Sequence, residues 1–208
     1  MLKQRVITAA IAMPLLFLFL WLNGWWLGGL VIVLFLIGAW EYWRLLKAGG
    51  RDREPLWIAG GLLYIALGFL SFWGVRQIHA MAWLLTVIWS TDTAAYEIGR
   101  RYGQHKLAPT VSPHKTWEGA VAGLITGAIL GMIAALITTD AGWFEALIIS
   151  LLISAIGQIG DLVESKVKRL AGVKDSGNIL PGHGGILDRF DSLLLASPFM
   201  FLLVRLFV

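Results

Sequence analysis

Long apolar segments separated by short polar loops run through this sequence from one end to the other. A helix needs roughly 20 mostly apolar residues to cross the ~30 Å hydrocarbon core of a bilayer. Seven segments meet this requirement, at about 5–22, 25–46, 56–75, 80–98, 117–138, 142–163 and 191–208. We therefore predict an all-α, polytopic transmembrane bundle of about seven spans, forming one integral membrane domain over 1–208.

The composition supports this prediction and excludes other classes of protein. Hydrophobic residues make up 58% of the chain and charged residues only 14%, whereas about a quarter of the residues in a soluble domain are charged. The eleven tryptophans fit a membrane protein, because tryptophan prefers the lipid–water boundary. The sequence contains no cysteine, which excludes disulfides and thiolate metal sites.

The distribution of basic residues predicts the orientation. Loops rich in Lys and Arg stay in the cytoplasm, and with a cytoplasmic N-terminus every Lys and Arg except Arg76 and Arg205 falls on that side. We predict that the N-terminus is inside and the C-terminus outside. Lys3 and Arg5 before the first apolar run also resemble the start of a signal peptide. We expect a retained span instead, because no small-x-small cleavage site follows.

The polar stretches are too short to form a separate soluble domain. The longest ones, at about 99–116 and 164–190, both lie on the predicted cytoplasmic side. Within the fifth segment, Gly119, Gly123, Gly127 and Gly131 recur at every fourth position. This spacing places them on one helix face and predicts close helix packing.

Acidic residues stand at the cytoplasmic ends of three predicted spans. Asp92 lies near the end of the fourth, Asp161 and Glu164 near the end of the sixth, and Asp188 and Asp191 at the start of the seventh. Ionisable groups at such positions are costly and often functional, and we expect these carboxylates to converge. Carboxylates suit Mg²⁺, and the neighbouring lysines, arginines and glycine-rich turn suit phosphate. The combination indicates a site for a metal-bound polyphosphate.

Several polar residues have simpler explanations. Glu164 and Lys168 have the spacing of an ordinary helix salt bridge, while His79 and His105 are isolated and expected to be structural or solvated. Arg100 and Arg101 fit the anchoring of a helix end to lipid headgroups. We expect Glu41 to pair with Arg44 or with another helix and to take no part in catalysis.

The run SKVKRLAGVKDSGNILPGHGGILDRFD, residues 165–191, resembles the signature of the phosphatidate cytidylyltransferases, the CDP-diacylglycerol synthases. STDTAAY and HKLAPTVSPHKTWEG resemble two earlier motifs of that family. The resemblance extends from about residue 85 to the end, with a weaker similarity in MLKQRVITA. Family members usually carry more sequence between the first spans and the STD-like motif. By comparison, 1–80 is a shortened set of N-terminal spans, and 81–208 is the motif-bearing catalytic half.

The resemblance implies a reaction and its participants. CTP and phosphatidate would give CDP-diacylglycerol and pyrophosphate, with Mg²⁺ required and the presence of a second, monovalent cation left open. It also implies a homodimer with no nucleic acid partner. A compact multi-pass chain fits a bacterial inner membrane, with the active site facing the cytoplasm.

The resemblance further implies roles for particular residues. The metal ligands would be Asp161 and Asp188, with Asp92 and Asp191 as further members, and Lys174 and Arg189 would join Asp161 and Asp188 in catalysis. Phosphate or substrate binding would fall to Ser112, Lys115, Thr116, Ser165, Lys168, Asp175, His183, Gly184 and Gly185. His183 is expected to bind a phosphate or shape its loop, because a phosphatidate oxygen needs no strong base.

Two other functions stay open on the sequence alone. An ion-coupled transporter would also use buried carboxylates, but its usual repeated halves are not seen here. Another CTP-dependent lipid enzyme, such as a polyisoprenol kinase, would transfer the γ-phosphate and release CDP.

Overall fold

The computed structural model describes residues 2–77 and 79–208, and the side chains of all of these except 2–7, 9 and 77. Within this part, the chain forms seven α-helices and one two-stranded antiparallel hairpin. In chain order the elements are α1 Leu2–Leu22, α2 Gly24–Ala48, α3 Pro55–Gln77, α4 Met81–Tyr102, β1 Lys106–Ala108, β2 Ser112–Thr116, α5 Trp117–Thr138, α6 Trp143–Leu170 and α7 Leu187–Phe207. The Lys3 and Arg5 side chains, which contributed to the orientation argument, lie outside the described residues.

The helices confirm the prediction of an all-α polytopic membrane protein. By length and hydropathy, five of those described are able to span a bilayer, namely α2, α3, α5, α6 and α7. The apolar part of α1, Ala10–Leu22, is shorter, and α4 ends in the polar sequence STDTAAYEIGRR. The orientation of the two termini stays a prediction.

Local sequence explains where the helices begin and end. Asn23 and Gly24 have positive φ angles of 54° and 51°, which separates α1 from α2. Pro55 is the first residue of α3, a position where its missing N–H costs nothing. Thr116 caps α5, because its hydroxyl accepts a hydrogen bond from the Gly119 N–H at 3.2 Å.

The glycine ridge of α5 packs as predicted. Gly119, Gly123, Gly127 and Gly131 are all buried. A Cβ atom on Gly123 would meet the Thr91 carbonyl oxygen of α4 at 2.8 Å, and one on Gly119 would meet that of Ala95 at 2.5 Å. The ridge therefore lets α5 lie directly against the backbone of α4.

One end of the bundle gathers the polar segments. Lys115 of β2 contacts Asp161 of α6, while Glu41 near the end of α2 contacts Leu187 at the start of α7. The Arg169 side chain of α6 reaches the Val111 carbonyl in the hairpin turn. The ends of α2, α4 and α6, the start of α7 and the hairpin thus meet at the same end.

Candidate active site

A cavity of about 560 Å³ lies between α4, the hairpin, α5 and α6. Two carboxylates line it, Asp92 from α4 and Asp161 from α6. Its basic lining comes from Arg100, Lys106, His114 and Lys115. The cavity therefore brings carboxylates, the ligand type that suits Mg²⁺, and cationic side chains, the type that suits phosphate, into one space.

The α4 wall follows from helical spacing. Asp92, Tyr96, Gly99, Arg100 and Gly103 line the cavity, and they recur at intervals of three or four residues, so they share one face of the helix. Gly99 and Gly103 leave no room for a side chain, because a Cβ on either would approach the Thr116 hydroxyl oxygen within 3.0 Å. The end of α4 is thus held close to the β2–α5 junction.

Asp161 is the most connected of the cavity carboxylates. Its Oδ2 lies 2.5 Å from Lys115 Nζ, and its Oδ1 accepts a hydrogen bond from the Ser165 hydroxyl at 3.3 Å. Both side chains of the Lys115–Asp161 pair are about one quarter exposed, at 27% and 25%. The pair is therefore accessible from the cavity.

The hairpin is fixed to the helices at both of its ends. Glu118 of α5 accepts hydrogen bonds from the Gln104 and His105 N–H groups, and its Oε1 lies 2.6 Å from His105 Nδ1. Arg169 donates to the carbonyl oxygens of Val111 and Val173, at 3.1 and 3.2 Å. His105 is structural, as expected, and Arg169 connects the hairpin turn to the start of the 171–186 loop.

Asp191, near the start of α7, lies outside the cavity lining. Its backbone packs against α6, since a Cβ atom on Gly160 would come 2.8 Å from the Asp191 carbonyl oxygen, and its Oδ1 accepts the Ser192 N–H at 2.7 Å. In the part of the chain that the structure describes, no three His, Asp or Glu side chains come close enough to hold a metal ion by themselves. Any bound metal would therefore need further ligands from substrate or water.

Lys168 lies between two buried carboxylates. Its Nζ is 2.5 Å from Glu164 Oε2 and 2.7 Å from Asp188 Oδ1, and the three side chains are 11%, 6% and 5% exposed. The predicted salt bridge between Glu164 and Lys168 is thus present. It belongs to a cluster of three residues in which the second salt bridge, from Lys168 to Asp188, links α6 to α7. Lys168 does not line the cavity.

Asp188 is bonded to the glycine-rich segment before α7. Its Oδ2 accepts hydrogen bonds from the N–H groups of Ser176 and Gly185 and from the Ser176 hydroxyl, at 2.8, 2.8 and 2.9 Å. Gly184 has a φ of +87°, a conformation that favours glycine. It closes a tight turn, in which the backbones of Gly184 and Leu180 exchange two hydrogen bonds. The segment wraps around Asp188, which does not line the cavity.

The remaining predicted site residues lie around these groups. Thr116 lines the cavity and caps α5, and Ser112 begins β2. Lys174, Asp175 and Arg189 are exposed and outside the cavity lining. The Nδ1 atom of His183 is buried without a hydrogen-bond partner in the described part of the chain.

Some cavity residues were not predicted from the sequence. The cavity lining includes four residues that the sequence analysis did not assign to a site: Tyr96, Lys106, His114 and Gln158. Arg100, which was interpreted as an anchor of the helix end, also lines the cavity. The spacing contained a usable signal, because Tyr96 follows Asp92 by four positions and Gln158 precedes Asp161 by three.

Glu41 has partners other than Arg44. It is completely buried, and it accepts hydrogen bonds from the N–H groups of Ile186 and Leu187 at 3.0 and 2.9 Å. The Arg44 guanidinium instead stacks on the Trp40 ring, 4.8 Å from its centroid. Of the two expectations for Glu41, a contact with another helix is the correct one.

Comparison with known proteins gives consistent matches. The model of a family described as the cytidylyltransferase family matches residues 3–84 and 75–207. A Staphylococcus saprophyticus protein named phosphatidate cytidylyltransferase is 40% identical over 187 residues, covering 88% of this chain and 71% of that protein. Proteins of the same name from Bacillus subtilis and Brucella melitensis are each 45% identical, covering 80% and 73% of this chain.

The relatives extend beyond the region that matches this chain. The matched region spans less than two thirds of the Bacillus and Brucella proteins, at 64% and 58% of their lengths. The family model matches in two pieces that meet near residues 75–84, at the end of α3 and the start of α4.

Proposed function

The chain belongs to the cytidylyltransferase family, and from that premise we propose that it transfers CMP from CTP to phosphatidate. An oxygen of the phosphatidate phosphate attacks the α-phosphorus of CTP. The bond from that phosphorus to the oxygen bridging it to the β-phosphate breaks, so the products are CDP-diacylglycerol and pyrophosphate. The observation that carries the proposal is the cavity in which Asp92 and Asp161 face Arg100, Lys106 and Lys115.

The chemical problem in this reaction is the repulsion between two anions. Positioning and electrostatic stabilisation supply most of the catalysis in phosphoryl transfer. Lys115 and Arg100 enter the cavity from β2 and α4, so cations from separate elements would surround a triphosphate. The attacking oxygen is already ionised, and no cavity residue is needed as a strong general base.

The acidic lining fits Mg²⁺ bound together with a nucleotide. Mg²⁺ is usually held by one or two carboxylates plus substrate phosphates and water, and Asp92 and Asp161 supply two carboxylates in one space. When bound, Mg²⁺ would neutralise triphosphate charge and polarise the α-phosphoryl group. We assign Asp92 and Asp161 to holding it. Asp188 and Asp191 would support them from behind the cavity wall.

The position of the cavity suits a lipid substrate. It lies at the end of the bundle where the polar segments meet, so the acyl chains of phosphatidate would stay in the bilayer while its headgroup reaches CTP. Lys174 and Arg189 are exposed at this end, where cations attract anionic lipid. We propose a bacterial inner membrane with this end facing the cytoplasm, and a homodimer, which the mass of the protein in detergent would test.

Product analysis tests the proposed reaction. Purified protein is mixed with phosphatidate, Mg²⁺ and CTP labelled in either the α- or the γ-phosphate. We expect the α-label in lipid and the γ-label in pyrophosphate. Release of CDP with the γ-label in lipid would indicate a lipid kinase instead, and no turnover of CTP would contradict the proposed transfer.

A further inference from the structure

The Glu41 carboxylate of α2 is a buried contact point for the segment before α7. Its Oε1 accepts the Ile186 N–H at 3.0 Å and its Oε2 accepts the Leu187 N–H at 2.9 Å. These N–H groups belong to the start of α7, where no helical carbonyl is available to them. A carboxylate at this position is also favoured by the helix dipole. Glu41 therefore stabilises the beginning of the helix that carries Asp188.

Asp188 uses the neighbouring donors of the same segment. Three consecutive N–H groups are divided between the two carboxylates, since Gly185 donates to Asp188 while Ile186 and Leu187 donate to Glu41. The Ser176 hydroxyl lies between them, 2.9 Å from Asp188 Oδ2 and 3.3 Å from Glu41 Oε2. A displacement of the segment away from Glu41 would therefore move the donors that fix Asp188.

The segment is shaped closely around the Glu41 carboxylate. A Cβ atom on either Gly177 or Gly185 would come 2.5 Å from Glu41 Oε1, so a larger residue at either position would have to displace the carboxylate from its donors. A glutamine at position 41 would have nearly the same shape, but only one of its two terminal atoms accepts hydrogen bonds. Its NH₂ group would face a backbone N–H group, and at least one donor would lose its partner.

We infer that Glu41 is a positioning residue for the proposed reaction: it holds the 176–187 segment, and through it Asp188 and the Lys168 partner of Asp188. This inference rests on the proposed function for its effect on turnover, but its structural part does not. The cavity groups Asp92, Asp161 and Lys115 come from α4, α6 and β2 and make no contact with Glu41. Loss of Glu41 should therefore leave these nucleotide-binding groups in place and lower turnover through the displacement of Asp188 and Lys168.

The test is Glu41→Gln, with Glu54→Gln as a matched control at the same end of the bundle. Glu54 is half exposed and pairs only with Arg51 among the described side chains. Two quantities are measured in detergent: hydrogen exchange of peptides covering 171–190, and steady-state kinetics with CTP and phosphatidate. For Glu41→Gln we expect faster exchange in that segment and a kcat lowered about 10- to 100-fold, the effect of losing a buried hydrogen bond to a charged group. The KM for CTP should stay within about twofold.

Each outcome decides a different point. Unchanged exchange in 171–190 would overturn the inference whatever the activity, and so would faster exchange with a wild-type kcat. A raised KM with unchanged kcat would make Glu41 a contributor to binding, which also contradicts the inference. If the unaltered protein transfers no cytidylyl group, the proposed function fails, while the exchange result still decides whether Glu41 holds the segment.

A second variant covers the case in which Glu41→Gln does not fold. Ser176→Ala removes the hydroxyl between the two carboxylates and leaves the Ser176 N–H on Asp188. We expect the same pattern as for Glu41→Gln with a smaller reduction in kcat, about threefold to tenfold, because only one donor is lost and the backbone N–H donors of both carboxylates remain. Wild-type exchange and wild-type kcat in this variant would contradict a link from Glu41 to Asp188 through Ser176.

Discussion

Two carboxylates of the predicted site, Asp161 and Asp188, have defined partners in this protein. Asp161 lies against Lys115 and Ser165, while Asp188 lies against Lys168 and the backbone before α7. Groups held in place before substrate arrives cost no reorganisation during the reaction. The accessible pair, Lys115 and Asp161, offers a cation for phosphate and an anion for a metal ion at neighbouring points.

Lys168 gives a prediction about stability. Lys168→Met would leave Glu164 and Asp188 buried without their shared cation, and breaking such a buried pair typically costs about 3 kcal/mol or more. Lys166→Met is the control, because Lys166 is exposed one half-turn away on the same helix. The free energy of unfolding in detergent should fall for Lys168→Met and change little for Lys166→Met. Equal stability of the two variants would show that the cluster does not hold α6 to α7.

Sequence reasoning identified the side chains that helical geometry places at one end of the bundle. Asp92 and Asp161 were predictable because each lies near the polar end of an apolar helix. The specific partners of Glu41 were not predictable, because Ile186 and Leu187 are more than 140 residues away and offer only backbone N–H groups. A contact of this kind has no signature in the side chains of either segment.

The helices α4 and α5 set the width of the cavity through their close approach. The glycine ridge brings α5 against the α4 backbone, and Thr116 at the start of α5 lies against Gly99 and Gly103 at the end of α4. The hairpin connects these two helices and contributes to the cavity lining. The geometry of Asp92 relative to Lys115 therefore depends on the glycines at this contact between α4 and α5.

Gly123→Ala tests this packing. The new methyl group would meet the Thr91 carbonyl oxygen at 2.8 Å and the Ala95 Cβ at 3.0 Å. The two helices would have to separate, at a cost of about 1–3 kcal/mol for overpacking. Gly29→Ala in α2 is the matched control, because nothing lies within 4 Å of its added Cβ. Thermal unfolding should show a lower Tm for Gly123→Ala only; similar Tm values would contradict the role of the ridge.

The elements differed in how well the sequence predicted them. The seven apolar segments and the α5 ridge follow from hydropathy and spacing, and the observed helices begin within a few residues of the expected positions. The hairpin was missed because β1 has only three residues and β2 five. Such short strands have little periodicity. They form here because Glu118 and Arg169 hold the two ends of the hairpin.

The protein as a whole joins its N-terminal and C-terminal halves at the polar end. Thr8 of α1 donates a hydrogen bond to the Pro181 carbonyl oxygen, and Glu41 of α2 contacts the start of α7. The buried core also includes residues from both halves, such as Leu27, Phe69, Trp83 and Met200. The early helices therefore support the segment that carries the family signature.

The predicted orientation can be tested without background labelling, because the chain contains no cysteine. Asp140→Cys lies in the α5–α6 loop and Arg53→Cys in the α2–α3 loop, at opposite ends of the bundle. In right-side-out vesicles, a membrane-impermeant maleimide should label the Asp140→Cys variant directly. It should label the Arg53→Cys variant only after permeabilisation, because basic loops stay inside. The reverse pattern would place the cavity on the outer face.

Equilibrium binding of labelled CTP in the presence of Mg²⁺ tests the role of the cavity. The proteins compared are the wild type, the double variant Asp92→Asn/Asp161→Asn, and Asp140→Asn, which removes a carboxylate from the distant α5–α6 loop. Wild type and Asp140→Asn should bind CTP alike, and the double variant should bind at least about tenfold more weakly, a loss of about 1.4 kcal/mol. Wild-type affinity in a correctly folded double variant, or no binding by the wild type, would contradict the assignment of this cavity to the nucleotide.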